Sequence, residues 1–215
     1  MKPTIRILVA MAILFSFNSI YADNSQHWND LVITGKLSPR VGIEIYNRSR
    51  WYDIPFTETF QTCLQGGLKY KINPQLTTLL AYRYDMLNKI GYYEFENRFL
   101  LQFSYKMPFR NICDIDLAQR TELRYFTRST KDQVRLRVIS TISRKLVIYG
   151  LPVKPSIAGE FFWDDVAEEI NRTRLYTGFS FDIKPRYSFK LIWIHQTDKD
   201  KPDTEILDTG FTIAL

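Results

Sequence analysis

Two histidines, one run of acids and a set of arginine–glutamate rows are the residues of this chain whose chemistry can be put to work. A hydrolase built around His195 needs a serine and an orienting partner within hydrogen-bond reach, but the neighbours Gln196 and Thr197 offer neither, and no serine is aimed at it. His27 stands alone near the N-terminus. Asp116 and Glu122 are spaced as candidate acid and base, yet both sit among arginines, so ion pairing accounts for them more simply. The run Asp164-Asp165-Val166-Ala167-Glu168-Glu169 is rich in the oxygen that calcium prefers, but its spacing fits no calcium loop and reads as a solvated connection. Phosphate-cradling, dinucleotide and zinc patterns are missing from the sequence. The expectation is therefore a protein without catalytic residues, metal or cofactor.

The rows carry the stronger signal. Arg120, Glu122 and Arg124 alternate with Thr121, Leu123 and Tyr125; Arg135 and Arg137 stand among Val134, Leu136 and Val138. Arg172 and Arg174 flank Thr173, Glu96 and Arg98 sit between Phe95 and Phe99, and Glu44, Arg48 and Arg50 share one parity. Glu160 belongs to the same set. A strand turns successive side chains to opposite faces, so each segment has one oily face and one ionic face. Ionic faces turned into a narrow barrel would form a salt-bridged filling; with arginine in excess, they would alternatively form a constriction that selects anions.

These rows need elements to hold them, and the N-terminus says where those elements go. Lys2 and Arg6 precede the apolar run Ile7 to Phe15, and Tyr21-Ala22-Asp23 follows, which reads as a secretory signal over 1–22 with one mature domain over 23–215. Removing it lowers the formal charge from +6 to +4, since Lys2 and Arg6 leave with it and 27 basic residues then face 23 acidic. That excess is spread along the chain rather than massed on one face, which argues against nucleic acid. No later segment approaches the roughly 20 apolar residues of a spanning helix, so any crossing of a membrane must use strands. Cys63 and Cys113, the two cysteines, do not make a disulfide framework; whether they pair stays open.

Eleven strand-like runs are expected near 29–37, 41–52, 60–71, 76–86, 93–107, 114–128, 133–146, 154–164, 171–184, 187–197 and 204–215. Tight joints at Ser38-Pro39-Arg40, Asn73-Pro74-Gln75, Pro108 to Asn111 and Pro185-Arg186 alternate with longer ones, as in an up-and-down meander. Bacterial barrels have even strand numbers, so eleven implies a first run outside the barrel, or a merged or missed strand; Leu146 to Lys154 is the weakest joint. Phe211, Ile213 and Leu215 alternate with small residues to the end, as barrel-assembly machinery requires of a last strand, although Leu215 stands where an aromatic is usual. Trp51, Tyr70, Tyr82, Tyr84, Tyr105, Tyr125 and Trp163 lie near strand ends, where aromatic girdles belong.

With these residues in view, the chain resembles the bacterial family catalogued as domain of unknown function 2490. The marks are Trp28 ahead of the first strand, Glu44 with Arg48, Gly67-Leu68-Lys69-Tyr70, Tyr82-Arg83-Tyr84 and Glu96-Asn97-Arg98. Further on stand Arg120 to Arg124, Arg135 to Arg137, Glu160-Phe161-Phe162, and Asn171 to Arg174 with Gly178. The resemblance implies an outer-membrane β-barrel of unassigned function and transfers no catalytic residue.

The sequence thus predicts an all-β, antiparallel up-and-down transmembrane β-barrel of 10–12 strands, preceded by a cleaved signal peptide and exported to the outer membrane. Its expected partners are outer-membrane lipids, lipopolysaccharide and, through the last strand, the barrel-assembly machinery; nucleic acid is not among them. A structural role or a narrow pore with an Arg/Glu-lined lumen is the first expectation. A lipid-modifying enzyme with His195 as base, and a soluble lipocalin-like binder with its faces reversed, are the alternatives.

Overall fold

A computed structural model describes residues 25–52, 58–89, 92–109, 115–127, 132–166 and 168–215. The signal-peptide segment 1–22, Cys113 and Ala167 lie outside them. The strands are β1 Ser25–Lys36, β2 Val41–Tyr52, β3 Glu58–Lys71, β4 Leu76–Lys89, β5 Tyr92–Phe109 and β6 Ile115–Thr127. They continue as β7 Gln133–Arg144, β8 Leu146–Ile148, β9 Leu151–Asp164, β10 Glu169–Lys184, β11 Tyr187–Asp198 and β12 Thr204–Ala214.

Each strand from β1 to β7 pairs antiparallel with the next, β7 passes to β9, and β9 to β12 continue the meander. The sheet closes because β12 pairs with β1 in parallel, from Ser25↔Glu205 to Thr34↔Ala214. The ring has eleven strands. β8 is not one of them: it pairs only with the start of β9, Leu146↔Val153 to Ile148↔Leu151. This corrects the expectation of an even count. In a meander of odd number the first and last strands run in the same direction, so closure must be parallel. The first run is a full barrel strand, beginning at Ser25 rather than near residue 29, and the weak joint at Leu146 to Lys154 holds the small β8–β9 hairpin. Tyr149 (φ 50°) and Gly150 (φ 78°) form its two-residue turn, whose left-handed backbone matches the twist of a tight hairpin.

The short joints at Ser38-Pro39-Arg40 and Asn73-Pro74-Gln75 are built as the sequence suggests, while the one expected at Pro108 to Asn111 runs outside the described residues. Ser38 Oγ accepts the backbone N–H of Val41 (3.0 Å), and Asn73 Oδ1 accepts those of Gln75 (2.9 Å) and Leu76 (2.7 Å). These turns and Leu215 lie at one end of the barrel, the turn end, while Ser25 and strand ends such as Tyr52, Lys89, Thr127 and Asp198 lie at the other, the loop end.

Alternation sorts the two faces. Leu64, Leu80, Phe99 and Phe161 point outward and are more than half exposed, whereas Asp85, Glu96 and Glu160 point inward with no exposed surface at all. The girdle candidates Trp51, Tyr70, Tyr82, Tyr84, Tyr105, Tyr125 and Trp163 share the outward parity. This is the reverse of what a lipocalin-like binder needs, in which the arginine rows face water. The interior is not wholly polar, however: Leu79, Ala81 and Leu100 form one inward apolar cluster, and Trp28, Ile194 and Ile206 another.

Candidate functional site

All thirteen residues of the arginine–glutamate rows carry the inward parity. The structure brings most of them into one network. Arg124 donates to Glu122 through Nε (2.8 Å) and Nη2 (2.5 Å), while Arg120 (3.1 Å) and Arg137 (3.3 Å) approach the same carboxylate. Arg137 also pairs with Glu160, which Arg174 (3.3 Å) and the Tyr176 hydroxyl reach from the other side. Arg98 pairs with Glu96 and with Asp85 (3.2 Å), and Arg83 donates to Asp85 (2.8 Å). Arg135 binds Asp164 (2.8 Å), and Arg172 binds Asp198. Glu44 stands apart, paired with Lys69 towards the turn end.

A second cluster fastens the parallel seam. Asp30 on β1 and Asp208 on β12 are both buried, and each is reached by the same two cations. Arg48 donates to Asp30 (2.5 and 2.6 Å) and Asp208 (3.4 Å); Lys190 Nζ donates to Asp30 (2.6 Å) and Asp208 (2.7 Å). Four strands, β11, β12, β1 and β2, are thus tied across the closure.

Aromatic rings fill the space between the charges. Guanidinium carbons of Arg50 (4.1 Å), Arg48 (4.4 Å) and Arg174 (5.0 Å) surround the Trp28 ring. Arg174 (4.7 Å) and Arg137 (5.5 Å) approach Phe162, and Arg98 (4.6 Å) and Arg135 (5.1 Å) approach Phe126. Each such contact contributes about 0.5–2 kcal/mol, the more the drier its surroundings. A cavity of about 430 Å³ opens at the loop end and one of about 490 Å³ lies towards the turn end; Arg50 and Arg174 line both.

Pattern reading by arginine and glutamate alone missed Asp30, Asp85, Asp164, Asp198, Asp208 and Lys190. Parity would have found several: Asp85 follows Arg83 at the second position, and Asp198 follows Gln196. The interior places of Trp28, Phe126 and Phe162 are not signalled by an arginine–glutamate pattern, although Trp28 and Phe162 stand among the marks of the family resemblance. Asp164 was read as a loop acid, yet it is 1% exposed and accepts from Arg135 and Gln133 inside the barrel. Asp116 lies six residues from Glu122 along β6, about 20 Å at the rise of a strand, and faces Lys154 (3.7 Å); the two carboxylates are no catalytic pair. His195 points outward. Its Nδ1 meets Glu205 (2.7 Å), and its Nε2 lies 3.6 Å from Asp203.

Fold and site together define a class: a closed, odd-stranded β-barrel with an apolar outer wall and an ion-paired, aromatic-filled interior. The chain belongs to the family described as protein of unknown function (DUF2490), which it matches over residues 25–206. No curated protein matches it. Among solved structures it is similar to the β domain of the Bordetella autotransporter Brka, with a TM-score of 0.55 and 9% identity, over 79% of this chain and 82% of that one. At that identity the likeness concerns the fold alone.

Proposed function

We propose that this protein is an outer-membrane β-barrel whose interior is closed to bulk solute, and whose role is structural rather than that of an open channel. The membrane half of the proposal rests on the inverted faces: Leu80 is 61% exposed outward while Glu160 is fully covered inward. Such a wall is stable against lipid and costly against water. The likeness to an autotransporter β domain supports it. Lipids and lipopolysaccharide then surround the outer wall, and the barrel-assembly machinery engages β12. The turn end would face the periplasm.

One observation carries the closed-lumen half. Trp28, 1% exposed and ringed by Arg48, Arg50 and Arg174, belongs to a packed layer between the two cavities. No catalytic step is part of the proposal, because both ring nitrogens of His195 are directed at carboxylates and none at a nucleophile.

Membrane fractionation with heat-dependent gel mobility tests the first half; a protein wholly soluble without detergent would refute it. Planar-bilayer recording tests the second: the closed barrel is electrically silent. Steady unitary currents, especially anion-selective ones, would replace it with a narrow pore gated at Arg50 and Arg174.

A further inference from the structure

We propose that the loop-end cavity binds a small organic oxyanion, a carboxylate or phosphate carried on a flat apolar body. Its lining unites three guanidiniums, Arg50, Arg172 and Arg174, with the Lys201 ammonium. Among the described residues, Asp198 is the one carboxylate in that lining, and it is taken up by Arg172 and by Gln196 Nε2 (2.6 Å).

The cations are not neutralised in the same way. Arg174 has Glu160 on its far side, but towards the cavity its Nε donates to Gln196 Oε1 (2.6 Å). Arg50 has no carboxylate partner among the described residues: its Nη1 donates to Gln61 Oε1 (2.7 Å), and its Nε has no acceptor. Gln61 in turn donates to Asp85. In both cases a neutral amide stands between the guanidinium and the nearest aspartate, so the positive field is left facing the cavity. A guanidinium that lines a recess and is paired to an amide rather than to a carboxylate favours an anion entering that recess.

The rest of the cavity sets the shape of the ligand. Trp28 closes its floor, and Tyr52 and Phe60, stacked at 3.9 Å between centroids, form an apolar wall near the mouth. A volume of about 430 Å³ accepts a single ring with one acidic group and is in the range of small-molecule sites. This inference does not depend on a closed lumen, since an open barrel would keep the same cations at its mouth.

The experiment is a calorimetric titration of the refolded protein in neutral detergent with benzoate, phenyl phosphate, benzyl alcohol and benzylamine. The expected result is saturable binding of benzoate or phenyl phosphate at least tenfold tighter than of the alcohol, and none of the amine. Arg50→Gln, with folding verified by heat-dependent mobility, should weaken the anion tenfold or more. If that variant does not fold, Lys201→Gln at an exposed loop position decides in its place, with a loss of threefold or more expected. Anions binding no better than benzyl alcohol, or unchanged by the deciding variant, would overturn the site. Which of the two anions binds tighter identifies the oxyanion; silence in bilayer recordings bears on the lumen alone.

Discussion

Lys190 reaches Asp30 across two strand boundaries, Nζ to Oδ2 2.6 Å, because the residue beside it on the intervening strand is Gly210. A Cβ at Gly210 would collide with Lys190 Cε and stand 2.9 Å from Cγ. The missing side chain is thus the passage by which a β11 cation fastens the parallel joint between β12 and β1.

Gly210→Ala should displace Lys190 and loosen the seam, lowering stability by about 1–3 kcal/mol as overpacking does. Gly66→Ala is the control, since nothing lies within 4 Å of the added atom there. Urea unfolding followed by gel mobility compares them; equal midpoints would mean that the lysine bends around a methyl group at no cost.

Gly178→Ala should be worse than either. Its Cβ would collide with the Leu191 carbonyl oxygen and stand 2.7 Å from Ile192 Cα, and backbone cannot swing aside as a lysine tip can. We expect poor recovery of heat-modifiable barrel; recovery at wild-type yield would show that β10 and β11 can separate locally.

Glu122→Ala leaves Arg120, Arg124 and Arg137 without their shared carboxylate, which is 3% exposed. Breaking a buried pair from one side costs about 3–5 kcal/mol. Asp116→Ala, which loses only a half-open contact with Lys154, should cost below about 1 kcal/mol. An unchanged unfolding midpoint for Glu122→Ala would mean that water fills the wall and screens its charges.

Trp28→Ala removes the slab between three guanidiniums and should join the two cavities. Stability should fall by about 3–5 kcal/mol, as for other buried aromatic truncations. If the variant folds, single-channel events should appear in bilayers where the wild type is silent; silence in both would place the seal elsewhere in the arginine layer.

At the loop end Lys199 Nζ, in the connection between β11 and β12, bonds both oxygens of Glu169, the first residue of β10 (2.6 Å each). The carboxylate beside it raises the Lys199 ammonium above its usual pKa. A raised lysine contributes its stability below the unfolded-state value and loses it as pH rises through the folded one. The midpoint difference between wild type and Lys199→Met should therefore be small at neutral pH and vanish in strongly alkaline buffer; a difference that grows there would contradict the pairing.

Alternation was enough to give the strands and their faces. Ile43, Ile45, Arg48 and Arg50 sort themselves by parity alone, because a strand turns each successive side chain over. Proline and asparagine at the tight joints marked one end of the barrel, since the fixed φ of proline and the side-chain hydrogen bonds of asparagine do not depend on distant contacts. Trp28 was less legible: it stands just ahead of the first run expected near 29–37, and the guanidiniums that enclose its ring come from β2 and β10.

That each strand has one oily face and one ionic face is already written in the order of its residues, since the property is local and periodic. It took the folded barrel to show that eleven strands close on a parallel seam, that Asp30 and Asp208 share Arg48 and Lys190, and that Arg50 lines a cavity paired to an amide rather than a carboxylate. Those facts depend on register between residues as far apart as Ser25 and Glu205, which no local pattern encodes.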